Sequence, residues 1–244
     1  MDDPAADPAD LRASLAFIRR VNTFLGYNRS TLRHFDRFAR SWEPGETVRV
    51  LDVATGSADL PRALLRWGRR RGADVRVVGV DLHPTTLRVA AELTPAGDKR
   101  SIQLACADAL RLPFGDGSFD YAVTSMFLHH LDEDAAAGVL REMARVARRG
   151  VLAADLLRNR RAYAWISLFT LFTRPMLRHD ARASVAQAFT PGEVMRLRER
   201  AGVEFAEFHH HFGHRFVLAG ERGRGREDGG SRTDASESPA FPAE

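Results

Sequence analysis

Between Val48 and Ala219, short runs of β-branched and aliphatic residues alternate with longer segments whose apolar positions recur every three or four residues. The runs Val48–Val53, Val75–Val80, Ile102–Ala105, Tyr121–Thr124 and Val151–Ala154 have the length and continuity of buried strands. Between them, Leu60–Trp67, Thr86–Glu92 and Asp134–Val146 carry helical spacing. Strands alternating with helices at this interval predict βαβ units, hence an α/β fold with a doubly wound, Rossmann-like, mostly parallel sheet. Val203–Phe208 and Arg215–Ala219, joined through Gly213, are two further strand candidates.

The flanks follow other patterns. Leu15, Ile18, Val21 and Leu25, then Leu32, Phe35 and Phe38, predict two helices interrupted near Gly26 and broken off by Trp42–Glu46, which contains Pro44 and Gly45. Leu156–Phe189 interrupts the strand–helix rhythm with an apolar run, Tyr163–Phe172, that is too short to span a bilayer. A helix with large apolar residues around its whole circumference is buried, lies on a membrane surface, or covers a greasy substrate. Thr190-Pro191-Gly192-Glu193 reads as a helix start, with Thr190 as N-cap and Glu193 completing a capping box. The expected organisation is a helical lid over residues 1–45, a ligand-binding domain over 46–220 with an inserted lid segment at 156–190, and a disordered tail over 221–244, where Gly, Ser, Arg, Asp and Glu dominate.

Charge narrows the partners. The chain has 36 basic and 32 acidic residues, a net charge of +4, and Lys99 is the sole lysine. Arginine is spread along the sequence and interleaved with acids, whereas a nucleic-acid binder concentrates positive charge on one face. No nucleic-acid partner is therefore expected. The single cysteine, Cys106, excludes an internal disulfide and a cysteine-based zinc site, and fits a reducing cytoplasm. The opening Met1-Asp2-Asp3-Pro4 does not read as a signal peptide, and the sequence has no apolar run of membrane-spanning length.

Three acids stand at or just beyond the ends of consecutive strand candidates, where ligands of such sheets bind. Asp52 opens the loop Asp52-Val53-Ala54-Thr55-Gly56-Ser57-Ala58, whose small residues let a ligand approach the backbone before a helix with free N–H groups. Asp81, followed by Leu82, can accept both hydroxyls of a ribose. Asp108, followed by Ala109, is suited to an exocyclic amine such as that of adenine. A dinucleotide fingerprint wants a third small residue where this loop has Asp59, and a pyrophosphate there would meet the charges of Asp59 and Asp52. A cationic, phosphate-free nucleoside such as S-adenosylmethionine suits the loop better.

With these motifs the sequence resembles the class I S-adenosylmethionine-dependent methyltransferases, particularly the ubiquinone/menaquinone-biosynthesis group. The resemblance runs through Val50–Leu60, Val78-Gly79-Val80-Asp81 and Ala107-Asp108-Ala109. It continues through Leu112–Asp120, Phe127-Leu128-His129-His130-Leu131, Glu142–Val146 and Val151–Asp155, and covers roughly residues 45–220. It implies a seven-stranded sheet closed by a β-hairpin at Val203–Ala219 and S-adenosyl-L-methionine as cofactor. The glycine-rich loop, with Ala54, Thr55 and Gly56, would hold the methionine end, Asp81 the ribose and Asp108 the adenine amine. Ala54 and Ala58 depart from the pattern, standing where that group often has glycine.

A phenolic acceptor benefits from a general base. His129 and His130, beyond the fourth strand, and Asp155, at the end of the fifth, are the candidates, and some small-molecule members of the group use a His/Asp pair from these regions. Packing alone is the competing role. The apolar runs favour a small, lipophilic, aromatic acceptor and leave peripheral membrane contact open. His209, His210, His211 and His214 read as a hairpin facing solvent or the sheet edge, with no metal. Two other classes remain in view: a nicotinamide-dependent oxidoreductase, disfavoured because Lys99 cannot complete a Tyr-x-x-x-Lys pair, and a cofactor-binding protein without turnover.

Overall fold

The structure is a computed structural model, and it describes residues 27–159, 183–211 and 214–223. The tail expected over 221–244 lies outside these residues beyond 223, as do the apolar run Tyr163–Phe172 and the first of the two N-terminal helices. Five strands run in parallel: β1 (Thr47–Val53), β2 (Asp74–Asp81), β3 (Ile102–Cys106), β4 (Phe119–Ser125) and β5 (Ala147–Leu156). They are completed by β6 (Glu207–His211) and β7 (Arg215–Glu221), giving a seven-stranded sheet of order β3-β2-β1-β4-β5-β7-β6. β7 pairs antiparallel with both β5 and β6. The expected doubly wound sheet and its terminal hairpin are both present.

Each strand is longer than its apolar run, because the ends take polar residues once they leave the core. β5 reaches back to Ala147 through Arg148 and Arg149, which pair with the buried Asp120 at 2.7 and 2.9 Å. The strand expected at Val203–Phe208 begins four residues late. Gly202, in the left-handed region at φ +67°, reverses the chain after helix α5 (Pro191–Arg200), and the amides of Val203 and Ala206 are spent on Arg198 and Val203 carbonyls. Val203 and Ala206 are fully buried all the same, so their apolar character reports a packed turn rather than a strand.

Helices cover both faces. α1 (Tyr27–Phe38) and α2 (Asp59–Arg71) close one face, where Phe35, Phe38, Trp42 and Trp67 gather around Tyr121. Phe38 stacks on Tyr121 with ring centroids 5.0 Å apart, and Trp42 Nε1 donates to the Tyr121 hydroxyl at 2.8 Å. α3 (Pro84–Leu93) connects β2 to β3. α4 (Glu133–Val146), capped by Asp132, and α5 pack on the other face around Leu140, Met143 and Leu197. The capping box at Thr190 and Glu193 forms as expected.

The hairpin histidines stand at the sheet edge, one of the two placements expected of them, because β6 is the outermost strand. Alternation puts His209 and His211 on the α1 face and leaves His210 exposed. There the buried His34 of α1 meets them, its Nε2 lying 3.2 Å from His211 Nε2 and its ring centroid 4.7 Å from that of His209. The pair is half-buried under a helix rather than facing solvent. Burial, then the proximity of His209, His211 and Arg37, pushes the His34 pKa down to about 3.

An imidazole held neutral in the fold titrates earlier in the unfolded chain, so its stabilisation is present above about pH 6.5 and is lost as pH falls. Thermal unfolding should therefore show stability falling by about 2 kcal/mol between pH 6.5 and pH 5 from this residue. His34→Gln, which cannot titrate, should flatten that part of the profile. An unchanged acid slope in the variant would contradict the reading.

Candidate active site

Parallel register brings the ends of β2, β1, β4 and β5 to one rim, where Asp81, Val53, Thr124 and Ala153 stand near the strand termini. Asp81 is clasped there. Its Oδ2 accepts from the Gly56 amide at 3.0 Å and its Oδ1 from the His83 amide at 3.1 Å. The clasp joins the loop after β1 to the start of α3 and leaves the carboxylate half-buried on the rim. Gly56, at φ +53°, has open space where a Cβ would lie, so its backbone is accessible to a ligand. Gly79 serves packing: a Cβ there would come within 2.7 Å of Thr55 Oγ1.

Behind the loop, Asp52 is buried and its Oδ2 accepts from Thr55 Oγ1 at 2.6 Å. Burial, reinforced by the charges of Asp81 and Asp59 and opposed by the Thr55 hydrogen bond, raises its pKa to about 7. A cation arriving nearby would favour the ionised form. Asp59 differs from expectation. It pairs with the largely buried Arg62 at 2.6 Å, and Arg62 also donates to the Ser57 carbonyl at 2.6 Å. The helix start is therefore not a bare negative charge, and the case against a pyrophosphate rests there on the missing small residue.

At the outer strands of the rim, Asp108 is exposed, with Oδ1 accepting from the Leu110 amide at 2.9 Å, and Ala109 is half-buried. Leu82 is 59% exposed and Leu110 47% exposed, next to Asp81 and Asp108 respectively. Both leave apolar surface exposed near an acid, and the Leu110 side chain approaches Gly138 of α4. Leu110 was not apparent in the sequence; a large apolar residue two positions after Asp108 was its only signal.

The second half of the rim joins His129 and Asp155. His129 Nδ1 lies 2.6 Å from Asp155 Oδ1, and the His129 amide donates to Oδ2 at 3.1 Å. The Leu156 amide also donates to Oδ1 at 2.7 Å. Both side chains are buried. Burial opposes charge on each, yet the pairing outweighs it: the His129 pKa is raised above its ordinary value and that of Asp155 is lowered. His130 is exposed, its ring centroid 4.1 Å from that of His129. Before them, Met126 closes β4 at φ +59°, a sparsely populated conformation of the kind that gathers at functional sites.

Two sequence motifs prove structural. Arg145 donates to the carbonyls of Leu112 and Phe114 and to Asp116, while Glu142 accepts from the Leu112 amide. Glu142–Val146 thus ties down the loop Leu112–Asp120. Among the described residues no group of three His, Cys, Asp or Glu is placed to hold a metal ion.

Residues 50–150 match the family described as methyltransferase domain. The demethylmenaquinone methyltransferase of Roseiflexus sp. (strain RS-1) is 40% identical over 113 residues, 46% of this chain and 44% of that protein. That of Staphylococcus carnosus (strain TM300) is 33% identical over 120 residues, 49% of this chain and 47% of that protein. The chain thus spans less than half the length of these curated relatives. Among solved structures, a SAM-dependent methyltransferase from Aquifex aeolicus aligns with a TM-score of 0.59 at 18% identity, covering 88% of this chain and 98% of that one. Human N-acetylserotonin methyltransferase in complex with SAM aligns with a TM-score of 0.63 at 14% identity, covering 89% of this chain and 57% of that one. These structures share the fold.

Ala54 and Ala58 adopt φ +57° in the loop, a left-handed conformation that costs an L-residue about 1–2 kcal/mol. Glycine removes that cost and gives back part of it as unfolded-state entropy. Ala54→Gly should therefore raise unfolding stability by about 0.5–1 kcal/mol in a urea titration. Ala58 is fully buried, so its replacement should gain less. A loss of stability in Ala54→Gly would contradict the strain.

Proposed function

We propose, from the premise that this chain carries a class I S-adenosylmethionine-dependent methyltransferase domain, that it methylates a small lipophilic acceptor, a phenol, quinol or related metabolite, with His129 as general base. The observation that carries the chemistry is the buried 2.6 Å contact between His129 and Asp155 on the rim that also bears Asp81. S-adenosyl-L-methionine supplies, when bound, an electrophilic methyl group on a cationic sulfonium.

The residues present fit that molecule. Gly56 leaves its backbone open, Asp81 offers a clasped carboxylate to ribose hydroxyls, and Asp108 offers one to an exocyclic amine. Leu82 and Ala109 would border the base, while Asp52, with Ala54 and Thr55, lines the loop that would hold the methionine end. Asp52 favours a cation without demanding one, because its proton is readily lost near neutral pH. A phosphate gains nothing from it.

On the acceptor side, Asp155 fixes the imidazole. A proton on Nδ1 donates to the carboxylate and leaves Nε2 as the acceptor for a phenolic hydrogen. Asp155 then stabilises the imidazolium formed as the proton transfers. His130, exposed with its ring centroid 4.1 Å from that of His129, is the alternative base. Relatives named for demethylmenaquinone support a hydrophobic acceptor. Residues 1–45 and 156–190 are its proposed covers; the second is joined at its base, where Leu157 bridges Phe189. No helix among the described residues is long and apolar enough to cross a membrane.

Labelled methyl transfer to alkylphenols and quinols tests the proposal. His129→Gln and Asp155→Asn should each lower kcat by about 10²–10⁴-fold. The wild-type rate should rise with pH through a value above 6.5, since the base must be neutral and its pKa is raised. Transfer by both variants at the wild-type rate would remove the histidine from the chemistry.

A further inference from the structure

The outer face of α1 is a line of arginines. Arg29, Arg33, Arg37 and Arg40 are all exposed, at intervals of four, four and three residues. At 3.6 residues per turn they fall within an arc of about 80° and run for roughly 16 Å along the helix and its final turn. None has a carboxylate within ion-pair distance among the described residues. Exposed arginines elsewhere are mixed: Arg69 pairs with Asp98 at 2.5 Å and Arg196 with Glu133 at 3.0 Å, whereas Arg66, Arg88 and Arg111 have no carboxylate within ion-pair distance among the described residues. What sets α1 apart is the alignment of four on one helix face. The single acid of α1, Asp36, is taken from the other side, accepting from Trp67 Nε1 and Arg71 at 2.7 Å each.

Such a line is unfavourable for the helix itself, since like charges four residues apart repel. It also bears on the histidines beneath it: burial is the main cause of their lowered pKa values, and Arg37 adds to it at His34 and His209 and Arg33 at His211. The fold thus sustains on one face four cations with no carboxylate partner among the described residues, and charge complementarity asks for an extended anionic partner.

We propose that this face of α1 docks the protein on an anionic phospholipid surface. The choice of a membrane among polyanions rests on the lipophilic acceptor proposed above, which partitions into bilayers. A second observation agrees. Phe35 and Phe38 are turned into the core, so no described aromatic of α1 stands between the arginines as a stacking platform for bases. Position agrees too. His34 meets His209 and His211 at the level where Arg215 pairs with Leu156, whereas Phe38 meets Tyr121 lower down. The Arg29 end of the line therefore lies towards the rim that carries Asp155, and a docked protein would hold that rim close to the lipid.

Co-sedimentation of the full chain with vesicles tests this, using phosphatidylcholine alone and phosphatidylcholine mixed with phosphatidylglycerol, at low and physiological salt. Binding should require phosphatidylglycerol, weaken with salt, and fall about fivefold for each arginine changed to glutamine. The quadruple Arg29→Gln, Arg33→Gln, Arg37→Gln, Arg40→Gln variant should lose it, the matching quadruple lysine variant should keep most of it, and the pair Arg33→Gln, Arg37→Gln should lie between. Cofactor titration of the same samples shows which are folded. Equal binding by wild type and glutamine variants, no preference for phosphatidylglycerol, or tighter binding to a DNA duplex at the same salt would overturn the proposal. Lipid binding that persists while alkylphenols are not methylated upholds the docking face and sinks the acceptor reading instead. Methylation without lipid binding does the reverse.

Discussion

Parallel pairing of β1 with β2 and β4, and of β4 with β5, fixes where every proposed functional group can stand. Each strand in that block ends on the same edge, so the loops that follow open into one crevice. Asp81 is then caught between the Gly56 and His83 amides, and Asp155 between those of His129 and Leu156. In both cases a carboxylate on one strand end accepts backbone hydrogen bonds from a loop that follows it or a neighbouring strand. The acids therefore order the loops as much as the loops order the acids. That reciprocity is what turns a strand edge into a binding surface.

The two halves of the rim differ electrostatically. Around β1 and β2 the acids Asp52, Asp59 and Asp81 lie close together, and the fold moderates them through protonation of Asp52 and the Arg62 partner of Asp59. Around β4 and β5 a single acid meets a single imidazole, out of solvent, and both move towards their charged forms. The first half suits a cation with hydroxyls, and the second suits the movement of one proton. Residues 50–150, which match the methyltransferase domain, contain the acids of the first half and His129 of the second.

Much of this was legible in the sequence because it rests on short-range pattern. The β-branched runs located all five parallel strands, and the positions of Asp81, Asp108, His129 and Asp155 after strand candidates placed them on the rim. What escaped depended on tertiary contact. Val203 and Ala206 looked like strand residues since burial in a turn leaves the same apolar signature as burial in a sheet. That His209 and His211, expected at solvent or at the sheet edge, are half-buried on the edge strand escaped since their partner, His34, lies 175 and 177 residues away. Asp59 looked like an unpaired charge, although Arg62 one turn later was visible as an i, i+3 partner. The arginines of α1 were lost in an even distribution along the chain, and only the packing of one helix face separates them from the rest.

On this reading the rim between Gly56, Asp81 and Asp108 takes a cationic, phosphate-free nucleoside. Calorimetric titration with S-adenosylmethionine and, separately, with NADH at pH 6 and pH 8 tests it most directly. S-adenosylmethionine should bind about tenfold more tightly at pH 8, as Asp52 gives up its proton, and NADH should not bind. Absence of S-adenosylmethionine binding at either pH, or NADH binding of equal strength, would contradict it.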